Sequence, residues 1–387
     1  MARIKVENLS KKFGKVTALD DVSFEIHDNE FFVLFGPAGA GKTTILNCVA
    51  GITMPDEGVV SFDDKIMNRV EPAHRNVAMV FENYALYPNM TVYDNMASAL
   101  RSKLYKNDEQ TIREKVYAAA KMMKMEDLLE RLPSQLSNGQ KQRVAMGRAL
   151  VRSPNVFLMD EPLAHLDAKL RNSMRTELKE MQSNLGSTCI YVTHDFIEAM
   201  SLGDRIAIIN KGKIIQIGTG DEIYYMPTNE FVATLMGDPQ INLIPAKIKS
   251  ENTQYELCFP FGDREVTIDM PGDEGVFEKI QELNLCAVDI GIRPQHVLYA
   301  FEETEGYFKA TIYSYESIGN KSVIIADCGD YQLRMIAPNG LRVQIDGDIY
   351  IHPVFEQSIL FDFESKDYIV RYNEEAVKAL ASTQEVV

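Results

Sequence analysis

Paired cysteines are missing from this sequence. Its five cysteines, Cys48, Cys189, Cys258, Cys286 and Cys328, are scattered, and no two stand at C-x-x-C spacing. That argues against a disulfide frame or a zinc site and reads as reduced thiols in a cytosolic protein. An apolar leader is missing too: MARIKVENLSKKFGK has no signal-peptide core. No run reaches the roughly 18 apolar residues of a spanning helix, so any membrane role is expected to run through a partner. Positive charge is short as well. The formal net charge of −16 excludes general nucleic-acid binding, which needs basic surface to neutralise phosphates, but leaves room for a local basic pocket. There is no low-complexity segment and no convincing internal repeat.

What is present fits an ordinary globular chain. At 387 residues, 45% hydrophobic and 25% charged, two or more domains with sizeable cores are expected. The first half alternates short apolar runs with helical patterns. FFVLFG, VAMVFE, VFLMDE and CIYVTHD read as buried strands, and a helix starts from about Lys42. Continuous apolar strands with helices between them predict a mostly parallel sheet covered on both faces. Leu170, Met174, Leu178, Met181 and Leu185 share one helical face, with Gly186 as its stop. The texture changes in MPTNEFVATLMGDPQINLIP, residues 226–245, which suggests a boundary. Beyond it KSVIIADCGD, YQLRMIAPNG, LRVQIDGD and DIYIHPV read as strands of a small β barrel or sandwich. The tail from about Asn373 is polar and helix-prone.

GPAGAGKT, Gly36 to Thr43, fits G-x-x-x-x-G-K-[ST] and stands after an apolar strand and before a helix. Glycines at 36, 39 and 41 let backbone N–H groups turn inward around phosphate oxygens. In that setting Lys42 reaches the β- and γ-phosphates, Thr43 ligates Mg²⁺, and the helix N-terminus adds its positive dipole end. A plain Gly-rich turn is the weaker reading, because strand, loop, Lys-Thr and helix all stand in order.

VFLMDEPLAHLD, Val156 to Asp167, ends a buried strand with two adjacent carboxylates. Burying them carries a large desolvation cost. Alone, the pair could be a solvated turn acid or a helix cap. Beside the glycine loop they become the second half of a nucleotide site. Asp160 would hold Mg²⁺, directly or through water, and Glu161 would polarise the water that attacks the γ-phosphate.

Upstream stands LSNGQKQRVAMGRALVRSPNVFLMDEP, in which a short polar loop opens a helix one strand before the acids. This order resembles the nucleotide-binding subunit of ATP-binding-cassette transporters over about residues 3–236. Six motifs agree: the loop at 36–43, VFENYALYPNMTV at 80–92, the signature loop at 136–140, the acids at 160–161, LAHLD at 163–167 and YVTHD with His194. INLIPAKI and IGIRPQHV resemble the regulatory β domain of importer ATPases of the maltose and glycerol-phosphate type. The resemblance implies a P-loop NTPase cassette over 1–236, with a helical subdomain at about 88–152, and an all-β, OB-like regulatory domain over 237–387. It implies an ATPase that drives import of a sugar, polyol or sugar phosphate at the cytoplasmic face of the cell membrane. The implied partners are two permease subunits, a second ATPase subunit and, indirectly, an extracytoplasmic solute-binding protein, with no nucleic acid.

The resemblance also assigns roles. ATP contacts fall to Gly36, Gly39, Ala40, Gly41, Lys42, Thr43 and Thr44. Ser137, Gly139 and Gln140 meet the γ-phosphate of the opposite subunit's nucleotide, although Ser137 also reads as a helix N-cap. Phe13 stacks on adenine, where sequence position alone favours plain core. Asp167 shapes the opposite site, and also reads as an N-cap. His194 positions the water against Glu161. Two positions depart from the family pattern: Glu82 replaces a Gln that contacts Mg²⁺, adding a negative charge near the γ-phosphate, and Asn138 replaces a signature glycine. A working homodimer, an unequal pair of ATPase chains, a weakly hydrolysing regulatory subunit, and importers of polyamines, anions or iron stay open on the sequence.

Overall fold

The computed structural model of the chain describes residues 2–102, 107–164, 166–251, 254–262, 264–270, 274–319 and 321–371. They fall into two compact units, Met1–Gly220 and Asp221–Val387.

The first unit opens with antiparallel strands β1 (Ile4–Phe13) and β2 (Val16–Ile26). Then come β3 (Phe31–Phe35), α1 (Lys42–Ala50), β4 (Glu57–Phe62), β5 (Lys65–Ile66) and β6 (Val77–Val80). Helices α2 (Val92–Ser98), α3 (Glu109–Met122) and α4 (Asn138–Leu150) pack on one another. The chain returns through β7 (Val156–Asp160), α5 (Ala168–Leu185), β8 (Thr188–Thr193), α6 (Phe196–Leu202), β9 (Arg205–Asn210) and β10 (Lys213–Gly218).

The main sheet runs β10-β9-β3-β8-β7-β6, and every neighbour pair is parallel except β10 with β9. All five residues of β3 and of β7 are buried, as expected for strands covered on both faces. One cover is, besides α1, a second, antiparallel sheet, β2-β1-β4-β5. Ile4, Val6, Leu19, Val22 and Val60 of that sheet share a core with Phe32, Leu34, Leu158 and Ile190 of the main sheet. α5 carries Met174 and Leu178 fully buried and ends on Gly186 in the left-handed conformation. The Met181 and Leu185 side chains lie outside the described residues.

The second unit begins within α7 (Gly220–Tyr225), followed by α8 (Glu230–Leu235), β11 (Asn242–Glu251), β12 (Gln254–Phe261), β13 (Arg264–Asp269) and α9 (Glu274–Glu282). Next are β14 (Ala287–Ile292), β15 (Val297–Ala300), β16 (Phe308–Ser317), β17 (Ser322–Asp327), β18 (Gln332–Ala337), β19 (Asp348–Pro353), β20 (Ile359–Asp362) and β21 (Tyr368–Arg371). Two antiparallel sheets, β13-β12-β11-β14-β20-β21 and β15-β19-β16-β17-β18, close on one core in a barrel-like, OB-like arrangement. LRVQIDGD is a correction: Leu341–Gly347 is irregular, and only Asp348 joins a strand. The segment carries the chain from edge strand β18 to β19, inside the sheet, and only its end meets a strand, where Ile312 of β16 accepts from the Asp346 N–H and donates to the Gly347 carbonyl. Leu341 and Val343 pack on the core nonetheless, which produces the alternation that looked like a strand. The helix-prone tail from Asn373 lies outside the described residues.

Two buried arginines organise the start of this unit. Arg293 donates to the carbonyls of Ala233 (2.8 Å), Met236 (2.7 Å) and Tyr224 (2.9 Å). Its guanidinium lies 4.0 Å from the Tyr224 ring centre. Burial lowers its pKa to about 10. Arg371 donates to the Tyr225 carbonyl at 2.7 Å.

Candidate functional site

The loop after β3 reaches α1 through Gly36 to Gly41. A Cβ on Gly36 would meet the Ile209 carbonyl oxygen at 2.2 Å, so only glycine lets β3 leave the sheet beside β9. Gly41 caps α1 at φ +111, a region closed to most side chains. With no side chain in the cap, the first-turn N–H groups of α1 are left for a ligand.

Lys42 is buried with its ammonium folded onto its own loop. It donates to the Gly36 carbonyl at 2.8 Å and the Pro37 carbonyl at 3.0 Å, and stands 3.6 Å from the Glu161 carboxylate. Burial lowers its pKa, against the pull of Glu161 and Asp160. Thr43 Oγ1 donates to Asp160 Oδ1 at 3.1 Å, across 117 positions of sequence.

Asp160, the last residue of β7, is 6% exposed. Burial pushes its carboxyl up. The Thr43 hydrogen bond opposes that shift, and the charges of Glu161 and Glu82 reinforce it. A cation would relieve this excess of negative charge. The donors suit Mg²⁺, a hard ion that takes oxygen ligands and keeps phosphate and water in its shell. No three acidic, His or Cys side chains among the described residues close on one point. Thr43 and Asp160 would therefore hold the ion together with the nucleotide.

Glu161 sits at φ +45 with its N–H bonded to the Val192 carbonyl of β8. A glutamate rarely adopts that backbone, and here it turns the acid out of the strand line. His194 Nδ1 lies 2.8 Å from Glu161 Oε2. With the carboxylate ionised, Nδ1 carries the proton and donates it. His194 is half exposed, so the pair opens to the outside.

The remaining expected residues are placed as follows. Ser137 caps α4 in a reciprocal box with Gln140, at 3.3 and 3.0 Å. Gly139 is buried against Leu170. No hydrogen bond or ion pair among the described residues links Ser137, Gly139 or Gln140 to the 36–44 loop. Asp167 caps α5 through the Leu170 N–H at 2.9 Å. Ala40 is buried and gives its carbonyl to the Gly212 N–H at 2.9 Å; Gly39 lies on the same loop and Thr44 in the first turn of α1. Glu82 is exposed on the turn after β6. Phe13 is not core: it ends β1 with its ring 51% exposed and Lys11 Nζ 5.5 Å away. The hairpin carries its tip beyond the sheet it belongs to.

Arg148 and Asn95 are among the residues that escaped the sequence reading. Arg148 on α4 donates to the carbonyls of Ala85 (2.6 Å) and Tyr84 (3.0 Å), which adopt positive φ. Asn95, fully buried, bonds Tyr87, Met90 and Thr91. Together they shape residues 84–91. Nothing in their spacing points to loop carbonyls.

The family model described as ABC transporter matches residues 19–164. The trehalose/maltose import ATP-binding protein MalK of Thermococcus litoralis is 40% identical, covering 92% of this chain and 98% of its own. The sn-glycerol-3-phosphate import ATP-binding protein UgpC of Ruegeria pomeroyi is 39% identical, covering 94% and 98%. Among solved structures, cbiO1 from Clostridium perfringens, part of the ABC transporter complex cbiONQ, is 30% identical with a TM-score of 0.54, covering 58% of this chain and 90% of that one.

Proposed function

The chain belongs to the ATP-binding subunits of ABC transporters, and from that premise we infer that it hydrolyses ATP to power the import of a carbohydrate or polyol. The observation that carries the chemistry is the meeting of Thr43 with Asp160 beside Lys42 and the Glu161–His194 pair. ATP enters the loop, and Lys42 exchanges two backbone carbonyls for phosphate oxygens. Bound Mg²⁺ supplies charge neutralisation at the phosphates. Glu161, aimed by its turned backbone, accepts a proton from the attacking water. His194 holds Glu161 in place through Nδ1, which leaves Nε2 facing outward to orient the attacking water by accepting from it. The work is positioning and charge stabilisation, as in other phosphoryl transfers.

Phe13, exposed at a hairpin tip, is suited to stack on adenine. Ser137, Gly139, Gln140 and Asp167 serve a second cassette, which explains a signature loop unconnected to its own phosphate loop. The permease contact falls on a groove of about 410 Å³ lined by Ile52, Phe81, Ala85, Tyr87, Ser98 and Arg148. The complex has two permease subunits, and an extracytoplasmic binding protein delivers the solute to them. The chain works at the cytoplasmic face of the membrane through these partners. No helix among the described residues is long and apolar enough to cross it. The second unit regulates the first.

The test is solute uptake into vesicles holding the chain with its copurified membrane subunits. ATP-dependent uptake of maltose, trehalose or glycerol 3-phosphate supports the reading. An ATPase that no sugar or polyol stimulates overturns it. Glu82, whose charge adds to the load on Asp160, favours a second reading, an unequal pair of ATPase chains. Copurification of two copies of this chain alone removes that reading.

A further inference from the structure

We propose that Arg171 is a positioning residue that ties the loop ending in Asp167 to the loop carrying His194, so that both stay in register with Glu161. The proposal rests on the ATPase reading above.

Arg171 stands in the first turn of α5, and its planar fork meets three segments. Nη2 donates to the Leu166 carbonyl at 3.2 Å, the residue before Asp167. Nη1 donates to Asp195 Oδ2 at 3.1 Å, the residue after His194. Nε lies 3.9 Å from Glu198 Oε1 on α6. Only a guanidinium presents rigid donors in three directions; an ammonium is a single point.

Glu198 is 3% exposed, an unusual place for a carboxylate. Its other oxygen accepts from Tyr191 at 2.9 Å and Thr193 at 2.7 Å, both on β8, the strand that delivers His194. Burial pushes Glu198 up, while the two hydroxyls and Arg171 draw it down. The acid therefore fixes the end of β8 to α6 by hydrogen bonds, while Arg171 Nε faces it across 3.9 Å as a charge partner with no hydrogen bond of its own among the described residues. A small cavity of about 40 Å³ is lined by Arg171, Asp195 and Glu198 together with Glu161, Ala164 and His194.

The helices do not need Arg171 as a cap. Asp167 already caps α5 through Leu170, and Asp195 caps α6 through the N–H groups of Ile197 and Glu198. Arg171 adds the tie between those two caps. It makes no hydrogen bond to Glu161 or His194 among the described residues, so it acts through the loops that carry them. Displacement of the Asp167 loop then displaces His194.

The experiment compares Arg171→Met and Arg171→Lys in the full chain assembled with its membrane subunits. Arg171→Met is expected to lower kcat about 10–100-fold, the scale of a small misplacement of reacting groups, with KM and nucleotide binding within about twofold. Arg171→Lys should recover part of the loss. In a His194→Ala background, single-turnover phosphate release should show no further loss on adding Arg171→Met. Losses that multiply, or a raised KM with unchanged kcat, overturn the proposal. If Arg171→Met does not fold, Glu198→Gln carries the same expectations. Lys42→Ala separates the two levels: if it binds ATP as the parent does, the ATPase reading itself fails. If Lys42→Ala loses binding while the Arg171 and His194 losses multiply, only the positioning role fails.

Discussion

Buried charge is used differently in the two units. In the cassette, Lys42, Asp160 and Glu198 are buried where segments distant in sequence converge, and their partners only partly offset their desolvation. In the β unit, Arg293 and Arg371 are buried against carbonyls at the ends of α7 and α8, and against the rings of Tyr224 and Tyr225. Lys42 and Asp160 stand where a bound nucleotide and its cation would change the charge balance, whereas Glu198 is held by the Tyr191 and Thr193 hydroxyls. The two arginines hold two helix ends, where unsatisfied carbonyls favour a cation. Space and chemistry also part company. A hollow of about 580 Å³ in the β unit is lined largely by apolar groups such as Pro245, Pro260, Ala287 and Phe363, whereas Glu161 and His194 border only a cavity of about 40 Å³. Burial of charge locates the chemistry better than volume does.

The sharpest way to break this contrast is Glu161→Gln. Its general-base role predicts a loss of about 10²–10⁴-fold in steady-state hydrolysis, with ATP binding retained by equilibrium titration. Hydrolysis at the parent rate would return Glu161 to the status of a turn acid. Next in size is Arg293→Met, which strands three carbonyls. A loss of about 1–3 kcal/mol is expected, read as earlier melting of the β unit in calorimetry, with the nucleotide affinity of the cassette unchanged. Loss of nucleotide affinity in that variant would show that the two sets of buried charge are not separate.

The smallest effect concerns Asp160. Its folded carboxyl is raised by burial, so the folded state holds that proton more tightly than the unfolded state does. The stability it contributes is greatest at low pH and falls as pH rises from the unfolded value through the raised folded value. At neutral pH the nucleotide-free Asp160→Asn chain should therefore melt slightly higher than the parent, while losing Mg²⁺-dependent nucleotide binding. A lower melting temperature would mean that Thr43 already satisfies the acid.

Legibility followed distance along the chain. FFVLF, VFLMD and CIYVT were readable because strands covered on both faces are apolar throughout. The expected cover on both faces is present, but that one cover is the second sheet, β2-β1-β4-β5, was not legible, because the strands' own pattern does not say what they pack against. Phe13 misled in isolation, since an aromatic at a strand end looks the same in a core and at a hairpin tip. LRVQIDGD misled because packing two apolar side chains on a core needs alternation but not a strand partner. Arg148, Asn95, Arg171 and Glu198 left no local signal, because each bonds to backbone or side chains of segments whose nearness the sequence order does not reveal.

The sequence alone determined the phosphate cradle. Its glycines, lysine and threonine are contiguous, and the backbone conformations they permit are a local property of eight adjacent residues, Gly36 to Thr43. The tertiary structure decided the rest of the candidate site through the order of the strands. β3, β7 and β8 follow one another along the chain, but in space β8 lies between β3 and β7. Parallel pairing brings their C-terminal ends to one edge. The loop of Lys42, the acids at the end of β7 and His194 after β8 meet there because β8 pairs in register both with β3, more than a hundred residues upstream, and with the nearer β7.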